Sequence, residues 1–140
     1  MTITYADVER GTAIEPRTYR ITRLDLVKYC GASGDFNVIH WNERVARSVG
    51  LPNVIAHGMY TMAQAGKFVT EWVGDPGAVT DLGVRFSAMV PVPDDDEGAT
   101  LEVSGKILEK LADNKVTVDI VVKAGGAKVL TRARATVRLP

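Results

Sequence analysis

Apolar and polar residues alternate with a period of two along three segments in the last third of the chain. Alternation of this kind is typical of antiparallel strands with one covered and one partly solvated face. Asp113-Asn114 and Gly125-Gly126 separate the segments and favour tight hairpin turns. Apolar runs at Val79–Val90 and Tyr19–Thr22 bring the predicted sheet to about five strands. The alternating apolar and small positions are Leu101, Val103, Gly105, Ile107, Val116, Val118, Ile120, Val122, Val129, Thr131, Ala133, Ala135 and Val137.

The segment His57–Val73 instead places its apolar and small residues at helical spacing. At about 1.5 Å per residue, it predicts a helix of roughly 25 Å. Lys67 and Glu71 are its only Lys, Arg, Asp or Glu residues, so we expect this helix to be buried on most sides. The residues that carry the pattern are Met59, Met62, Ala63, Gly66, Val69, Trp72 and Val73.

Two shorter helices are predicted before the long one. Thr22 is a suitable N-cap for a helix that ends near Gly31. Asn42 opens a second helix at Glu43–Val49, which Gly50 closes. Helices first and strands after indicate an α+β fold, in which an antiparallel sheet of about five strands wraps around one long central helix. We expect residues 1–140 to form a single domain.

Composition and charge exclude several classes of protein. Lys and Arg number 17, as do Asp and Glu, so the net charge of zero argues against a nucleic-acid-binding protein. No apolar stretch is long enough to span a bilayer, and the N-terminus does not have the pattern of a signal peptide. Cys30 is the single cysteine, which excludes an intrachain disulfide and predicts a cytoplasmic location. No ligand spacing predicts a metal site.

The stretch Tyr29–His40 has the composition of a loop and holds a complementary pair of ionisable side chains. Four of the five residues from Ser33 to Asn37 are Ser, Gly, Asp and Asn, which are typical of turns. A bend at Gly34 can bring the carboxylate of Asp35 and the imidazole of His40 to one point. Such a pair can move protons near neutral pH.

Each candidate residue in this region also has a structural explanation, and spacing alone leaves the choice open. Asp35 is typical of a residue that holds a turn, and His40 of a buried structural histidine. Asn37 suits the role of a loop organiser that hydrogen-bonds to the backbone. His57 is interpreted as a helix-start residue in preference to an acid or base.

Motifs spread over nearly the whole chain are similar to a known family. They comprise Tyr29, Ser33-Gly34-Asp35, Asn37, Ile39-His40, Ala46, Ile55–Met59, and Val84–Phe86 before a Val-Pro turn. Together they resemble the MaoC-like, hydratase-2 branch of the hot-dog fold. Three further segments are most similar to its HadB-type members, the catalytic subunits of (3R)-hydroxyacyl-carrier-protein dehydratases. These segments are Trp41–Glu43, Trp72–Val79 and Val90–Pro93.

The resemblance implies a reaction and assigns residues to it. The expected reaction is reversible dehydration of (3R)-3-hydroxyacyl thioesters to trans-2-enoyl thioesters, with no cofactor and no metal. Asp35 and His40 are the expected catalytic residues, and Asn37 is a candidate substrate-binding residue. The N–H of Gly58, at the start of the long helix, is the candidate oxyanion donor. The family usually has proline where this chain has Val38, which loosens the loop without removing a reacting group.

The resemblance also implies partners and leaves several functions open. The substrate is expected on acyl carrier protein in type II fatty-acid synthesis, and the protein is expected to form a homodimer or a heterodimer with a second hot-dog subunit. The competing functions are an (R)-specific enoyl-CoA hydratase, a hot-dog thioesterase and a non-catalytic acyl-binding or scaffold subunit. Arg132, Arg134 and Arg138 form either a carrier-binding basic face or a solvated outer face.

Overall fold

A computed structural model of the chain describes residues 2–140, so Met1 of the expected 1–140 domain lies outside the described residues. The helices are α1 (Arg23–Ser33), α2 (Glu43–Ser48) and α3 (Gly58–Val73). The strands are β1 (Ala13–Ile21), β2 (Val79–Phe86), β3 (Ala99–Lys110), β4 (Lys115–Ala124) and β5 (Ala127–Arg138). Single 3₁₀ turns lie at Tyr5–Asp7, Val38–His40 and Pro76–Ala78.

All five strands form one antiparallel sheet in the order β1-β3-β4-β5-β2. The strands β3, β4 and β5 are consecutive hairpins, and Asp113 and Asn114 in the first turn have positive φ angles of 58° and 55°. β1 and β2 pair with the outer strands of this meander, with Ala13 opposite Lys106 and Val79 opposite Val137. The α+β prediction and the five-stranded sheet are confirmed.

The helix α3 packs across the sheet and contacts β1, β2 and β5. Its fully buried Phe68 also reaches β3 at Gly105, where an added Cβ would lie 2.9 Å from the phenyl ring. Glycine at this strand position therefore makes room for the largest fully buried side chain of the core. The antiparallel sheet wrapped around a central helix is the hot-dog arrangement.

The expectation that α3 is buried on most sides holds except along one exposed stripe of the helix. One face is buried and carries Thr61, Ala65, Phe68, Val69 and Val73. Met59, Ala63 and Lys67 lie one turn apart on an exposed face of the same helix. The low charge of α3 did not indicate this stripe, because small and apolar residues occupy part of it.

Two element boundaries differ from the sequence prediction for local reasons. α1 continues past Gly31 to Ser33 and ends at Gly34, whose φ of 76° is the left-handed conformation of a helix C-cap. β1 begins at Ala13, before the predicted Tyr19, because the edge of a sheet tolerates Pro16 at an irregularity between Ile14 and Arg17.

The predicted strand Val79–Val90 also ends early, at Phe86. The N–H groups of Ser87 and Ala88 still donate to the carbonyl of Val129 in β5, and the chain then pairs with the segment that precedes α3. The N–H of Ala56 donates to the carbonyl of Val90 at 2.9 Å, and Ile55 forms a β-bridge with Pro91. This crossing fixes the segment before α3 against the end of β2.

Candidate active site

The loop after α1 is held by short-range bonds between side chains and backbone. The N–H of Asp35 donates to Ser33 Oγ at 3.1 Å, and the N–H of Asn37 donates to Asp35 Oδ1 at 3.1 Å. Asn37 Oδ1 in turn accepts the N–H of Ile39 at 3.3 Å and caps the 3₁₀ turn that carries His40. Asp35 and Asn37 thus organise the loop themselves.

His40 is buried, and its ring is oriented by the segment before α3. Its Nδ1 lies 2.7 Å from the carbonyl oxygen of Ile55, which can only accept, so Nδ1 carries the proton. In the neutral ring Nε2 therefore has a free lone pair. That atom lies 3.9 Å from Oδ2 of Asp35. The histidine side chain is 8% exposed and the aspartate side chain 52%, so the pair joins a buried imidazole to a carboxylate that is exposed to solvent.

The spacing between the two groups suits one water molecule. Hydrogen bonds of about 2.8 Å from a water to each atom fit a separation of 3.9 Å between Nε2 and Oδ2. The second carboxylate oxygen, Oδ1, is already engaged by the backbone of Asn37. The free oxygen of Asp35 and the free nitrogen of His40 thus face each other.

A pocket of about 330 Å³ lies beside His40. Its polar lining includes Gly58 and Thr61 at the start of α3. The remaining lining is largely apolar and comes from the segment before α3, the end of β2, the following turn and β5: Ile55, Ala56, Phe86, Ser87, Ala88, Met89, Val90, Val129 and Leu130. An apolar wall with a few polar groups is typical of a small-molecule site.

The structure therefore places the four predicted site residues in different relations to this pocket. His40 and Gly58 line it, and Asp35 faces His40 at its margin. Asn37 is not among the described residues that line it, and its side chain serves the loop. The interpretation of Asn37 as a loop organiser describes its contacts better than the substrate-binding role.

Gly58 begins α3, and no described carbonyl accepts its N–H. Backbone donors of this kind are left over in the first turn of every helix. A Cβ at Gly58 would lie 3.0 Å from the ring of Phe86, so a larger residue there would crowd the end of β2. The 16 residues of α3 place a positive dipole end at this point.

Sequence reasoning missed the part played by His57. It occupies the N-cap position of α3, as predicted, but its side chain makes no capping hydrogen bond. The ring instead stacks on His40, with 3.8 Å between the ring centroids. Burial lowers the pKa of His57, which keeps the imidazole neutral. Its position directly before Gly58 in the motif was the available signal.

A metal does not fit the donor set well. Asp35, His40 and His57 offer ligand atoms within 4.8 Å of one another. However, His57 Nε2 lies 3.1 Å from the carbonyl oxygen of Asp35, so this nitrogen carries a proton. With that nitrogen occupied, Asp35 Oδ2 and His40 Nε2 are the free ligand atoms that face each other, whereas catalytic zinc sites use three protein ligands.

The described part of the chain contains no helix with both the length and the apolar character needed to cross a bilayer.

Solved structures match the fold over almost all of the chain. A protein described as a MaoC-like dehydratase is 42% identical to it, with a TM-score of 0.95; the match covers 99% of this chain and 43% of that one. The R-hydratase PhaJ1 from Pseudomonas aeruginosa is 28% identical, with a TM-score of 0.86 and coverage of 99% and 86%.

Sequence comparison gives the same family. The 3-hydroxyacyl-thioester dehydratase X of Mycobacterium tuberculosis is 48% identical over 44 residues, which are 31% of this chain and 16% of that protein. The chain spans between 3% and 19% of the lengths of the curated relatives it matches. Residues 7–125 match the family model of the MaoC like domain. This chain therefore belongs to the MaoC-like domain family of hydratases and dehydratases.

Proposed function

We propose that this protein catalyses the reversible dehydration of (3R)-3-hydroxyacyl thioesters to trans-2-enoyl thioesters. The observation that carries the proposal is the 3.9 Å gap between Asp35 Oδ2 and His40 Nε2 at the margin of an apolar pocket. A carboxylate and an imidazole that share one water supply the proton transfers of this reaction. Membership in a family of hydratases and dehydratases supports the assignment.

In the hydration direction the pair activates the shared water. His40 Nε2 accepts a proton from the water while the water oxygen forms a bond to C3 of the enoyl group. A proton is delivered to C2 through the pair, and Asp35 completes the relay, so both groups return to their starting states. The hydrogen bond from Nδ1 to the carbonyl of Ile55 holds the acceptor nitrogen in place throughout.

The thioester oxygen gains negative charge between these two steps and requires a donor. The N–H of Gly58 at the start of α3 lines the pocket that His40 also lines. A backbone donor at the positive end of a helix dipole stabilises such an oxyanion without reorganisation. We assign Gly58 this role.

The test is hydration of a short trans-2-enoyl-CoA by the purified protein, followed by loss of enoyl absorbance. His40→Asn is the informative variant, because its side-chain amide can still donate to the carbonyl of Ile55 while the acceptor nitrogen is lost. We expect the variant to lose activity roughly 10²- to 10⁴-fold with an unchanged fold by circular dichroism. Equal turnover by variant and wild type would disprove the proposed site.

The carrier is proposed to be acyl carrier protein, because three segments resemble the carrier-protein dehydratase subunits: Trp41–Glu43, Trp72–Val79 and Val90–Pro93. Hydration of coenzyme A thioesters is the second candidate, favoured by the 28% identity to an R-hydratase over nearly the whole chain. The ratio of kcat/KM for the same acyl group on the two carriers decides between them.

A thioesterase and a non-catalytic scaffold subunit both have less support. Hot-dog thioesterases place an acid or its amide on the central helix or a neighbouring strand. In α3 the candidates are Gln64 and Glu71, and neither lines the pocket; Glu71 is hydrogen-bonded to Arg17 and Tyr19. A non-catalytic scaffold subunit has no need of a buried histidine poised against a carboxylate.

We further propose that the protein works in the cytoplasm as a dimer that joins two sheets at β2. β2 is an edge strand, and Phe86 at its end is exposed although it lines the pocket. An unpaired edge with apolar side chains favours pairing with a second strand. Both a homodimer and a heterodimer with another hot-dog subunit would pair this edge strand. Light scattering of the pure protein distinguishes them, because only the homodimer can form from this chain alone.

A further inference from the structure

His57 contacts both proposed catalytic residues although it is not one of them. It is 1% exposed and stacks on His40 with a 22° angle between the ring planes. Its Nε2 lies 3.1 Å from the main-chain carbonyl oxygen of Asp35. One imidazole therefore packs against the ring of one residue and holds the backbone of the other.

The partners of His57 determine where its proton lies. The carbonyl oxygen of Asp35 only accepts hydrogen bonds, so His57 Nε2 must be the N–H donor. The nearby Cys30 Sγ, at 3.6 Å, can accept from the same nitrogen. Nδ1 then carries the lone pair, and it has no hydrogen-bond partner among the described residues.

The stacked rings consequently have opposite tautomers. His40 carries its proton on Nδ1, because the carbonyl of Ile55 faces that atom at 2.7 Å. His57 carries its proton on Nε2. We propose that His57 is a positioning residue. It acts as a neutral Nε2–H imidazole that holds the Asp35 backbone and the His40 ring in fixed positions relative to each other. The tautomer assignment stands alone, whereas its importance for catalysis rests on the proposed function.

A purely structural role does not explain these contacts. A phenyl ring would fill the same space and stack on His40 without leaving a buried nitrogen unpaired, which is unfavourable. Only the imidazole supplies an N–H that donates to the carbonyl oxygen of Asp35. The groups that face His57 are His40, Asp35, Cys30 and the edge-on ring of Tyr29 at 4.7 Å, and none of them is a fixed cation.

The first test reads the tautomers directly by ¹⁵N NMR of the imidazoles. The chain has two histidines, so each nitrogen can be assigned with one single-site variant. We expect His40 to be protonated on Nδ1 and His57 on Nε2, with the pKa of His57 below the usual histidine value because the ring is buried. The same tautomer in both rings, or an ordinary titration of His57, would overturn the proposal. This result does not depend on enzymatic activity.

The second test separates the donor from the ring with two variants. His57→Phe retains the stacked ring and removes the donor, whereas His57→Gln retains an amide N–H of similar reach and removes the ring. If the donor positions the loop, His57→Phe lowers kcat about 10- to 100-fold, with KM nearly unchanged, and His57→Gln restores much of the loss.

The outcomes distinguish failure of this inference from failure of the proposed function. Wild-type kcat in both variants, with activity still abolished by Asp35→Asn, would reject His57 as a positioning residue and leave the reaction intact. If the wild-type protein does not hydrate enoyl thioesters, the ¹⁵N signal of His40 in His57→Phe remains the readout. A signal identical to that of the wild type would then reject the inference.

Discussion

The chain contains two Gly-Asp turns with the same local geometry, and only one of them faces the pocket. Gly34 ends α1 with φ 76° and ψ 4°, and Gly74 ends α3 with φ 76° and ψ 7°. In both turns the aspartate accepts the backbone N–H two residues later, and a 3₁₀ turn follows. Asp35 meets His40, whereas Asp75 has no imidazole nearby, because both histidines of the chain belong to the first site.

A Gly-Asp turn alone therefore does not form a candidate catalytic site. The Gly-Asp pair ends a helix at both places, but Asp75 itself caps the second 3₁₀ turn, whereas Asn37 caps the first. The first turn becomes a candidate site only because the segment before α3 brings a carbonyl to Nδ1 of His40. The proposed function of the first turn depends on contacts that are distant in sequence, and the second turn serves as an internal control.

The largest expected difference between the turns is in activity. Asp35→Asn keeps an oxygen for the N–H of Asn37 but removes the charge that faces His40. We expect kcat to fall roughly 10²- to 10⁴-fold. Asp75→Asn makes the same chemical change at the second turn and should leave kcat unchanged. Similar losses in both variants, measured by enoyl hydration, would remove the distinction between the two turns.

Substitution of the two glycines should give equal losses of stability. An alanine at Gly34 or Gly74 must adopt a positive φ, although its Cβ would have no heavy atom within 4 Å at either site. We expect each variant to lose about 1–2 kcal/mol of unfolding free energy in urea titrations. Gly34→Ala should also lower activity, whereas Gly74→Ala should not. Unequal losses of stability would mean that the turns differ locally.

Acid should weaken the first site through His57. Burial lowers the pKa of His57 in the folded protein. As the pH falls, the unfolded chain therefore binds a proton at this residue before the folded protein does. The contribution of the neutral His57 ring to the free energy of unfolding is complete above pH about 6.5 and is lost as the pH falls below that value. Thermal unfolding from pH 8 to 5 should therefore show a steeper loss for the wild type than for His57→Phe. Parallel curves would contradict this explanation, because the carboxylates are common to both proteins.

The smallest expected effect concerns the residue that opens each 3₁₀ turn. The second turn begins with Pro76, and the first begins with Val38. No described carbonyl or side chain accepts the N–H of Val38, and the ψ of 125° at Asn37 suits a following proline. Val38→Pro should stabilise the protein by about 0.4–1 kcal/mol with kcat nearly unchanged. A destabilised variant would indicate that the loop needs a conformation that proline forbids.

The sequence predicted most of the fold because the strands repeat a simple pattern. Alternation identified β3, β4 and β5, and the turn residues identified both hairpins. β1 was placed late because Pro16 and charged residues mask its alternation at the sheet edge. The exposed stripe of α3 was not predicted, because apolar composition does not say which face of a helix is left uncovered.

The site was predicted in part, and what was missed depends on contacts between distant segments. Asp35, His40 and Gly58 came from motifs, and the structure brings the aspartate and histidine to 3.9 Å. The carbonyl of Ile55 that fixes the His40 tautomer has no signature, because every residue has a carbonyl. The side chain of His57 points into the site, and its position directly before Gly58 in the motif was the signal for this in the sequence.

The pairing of the outer strands has a consequence for the order of events during synthesis. The loop with Asp35 and His40 is translated early, but Ala13 of β1 pairs with Lys106, and Val79 of β2 with Val137. Closing loops of this length is slow compared with forming the local hairpins of β3, β4 and β5. We expect the nascent chain to lack a formed pocket until the last strand has left the ribosome.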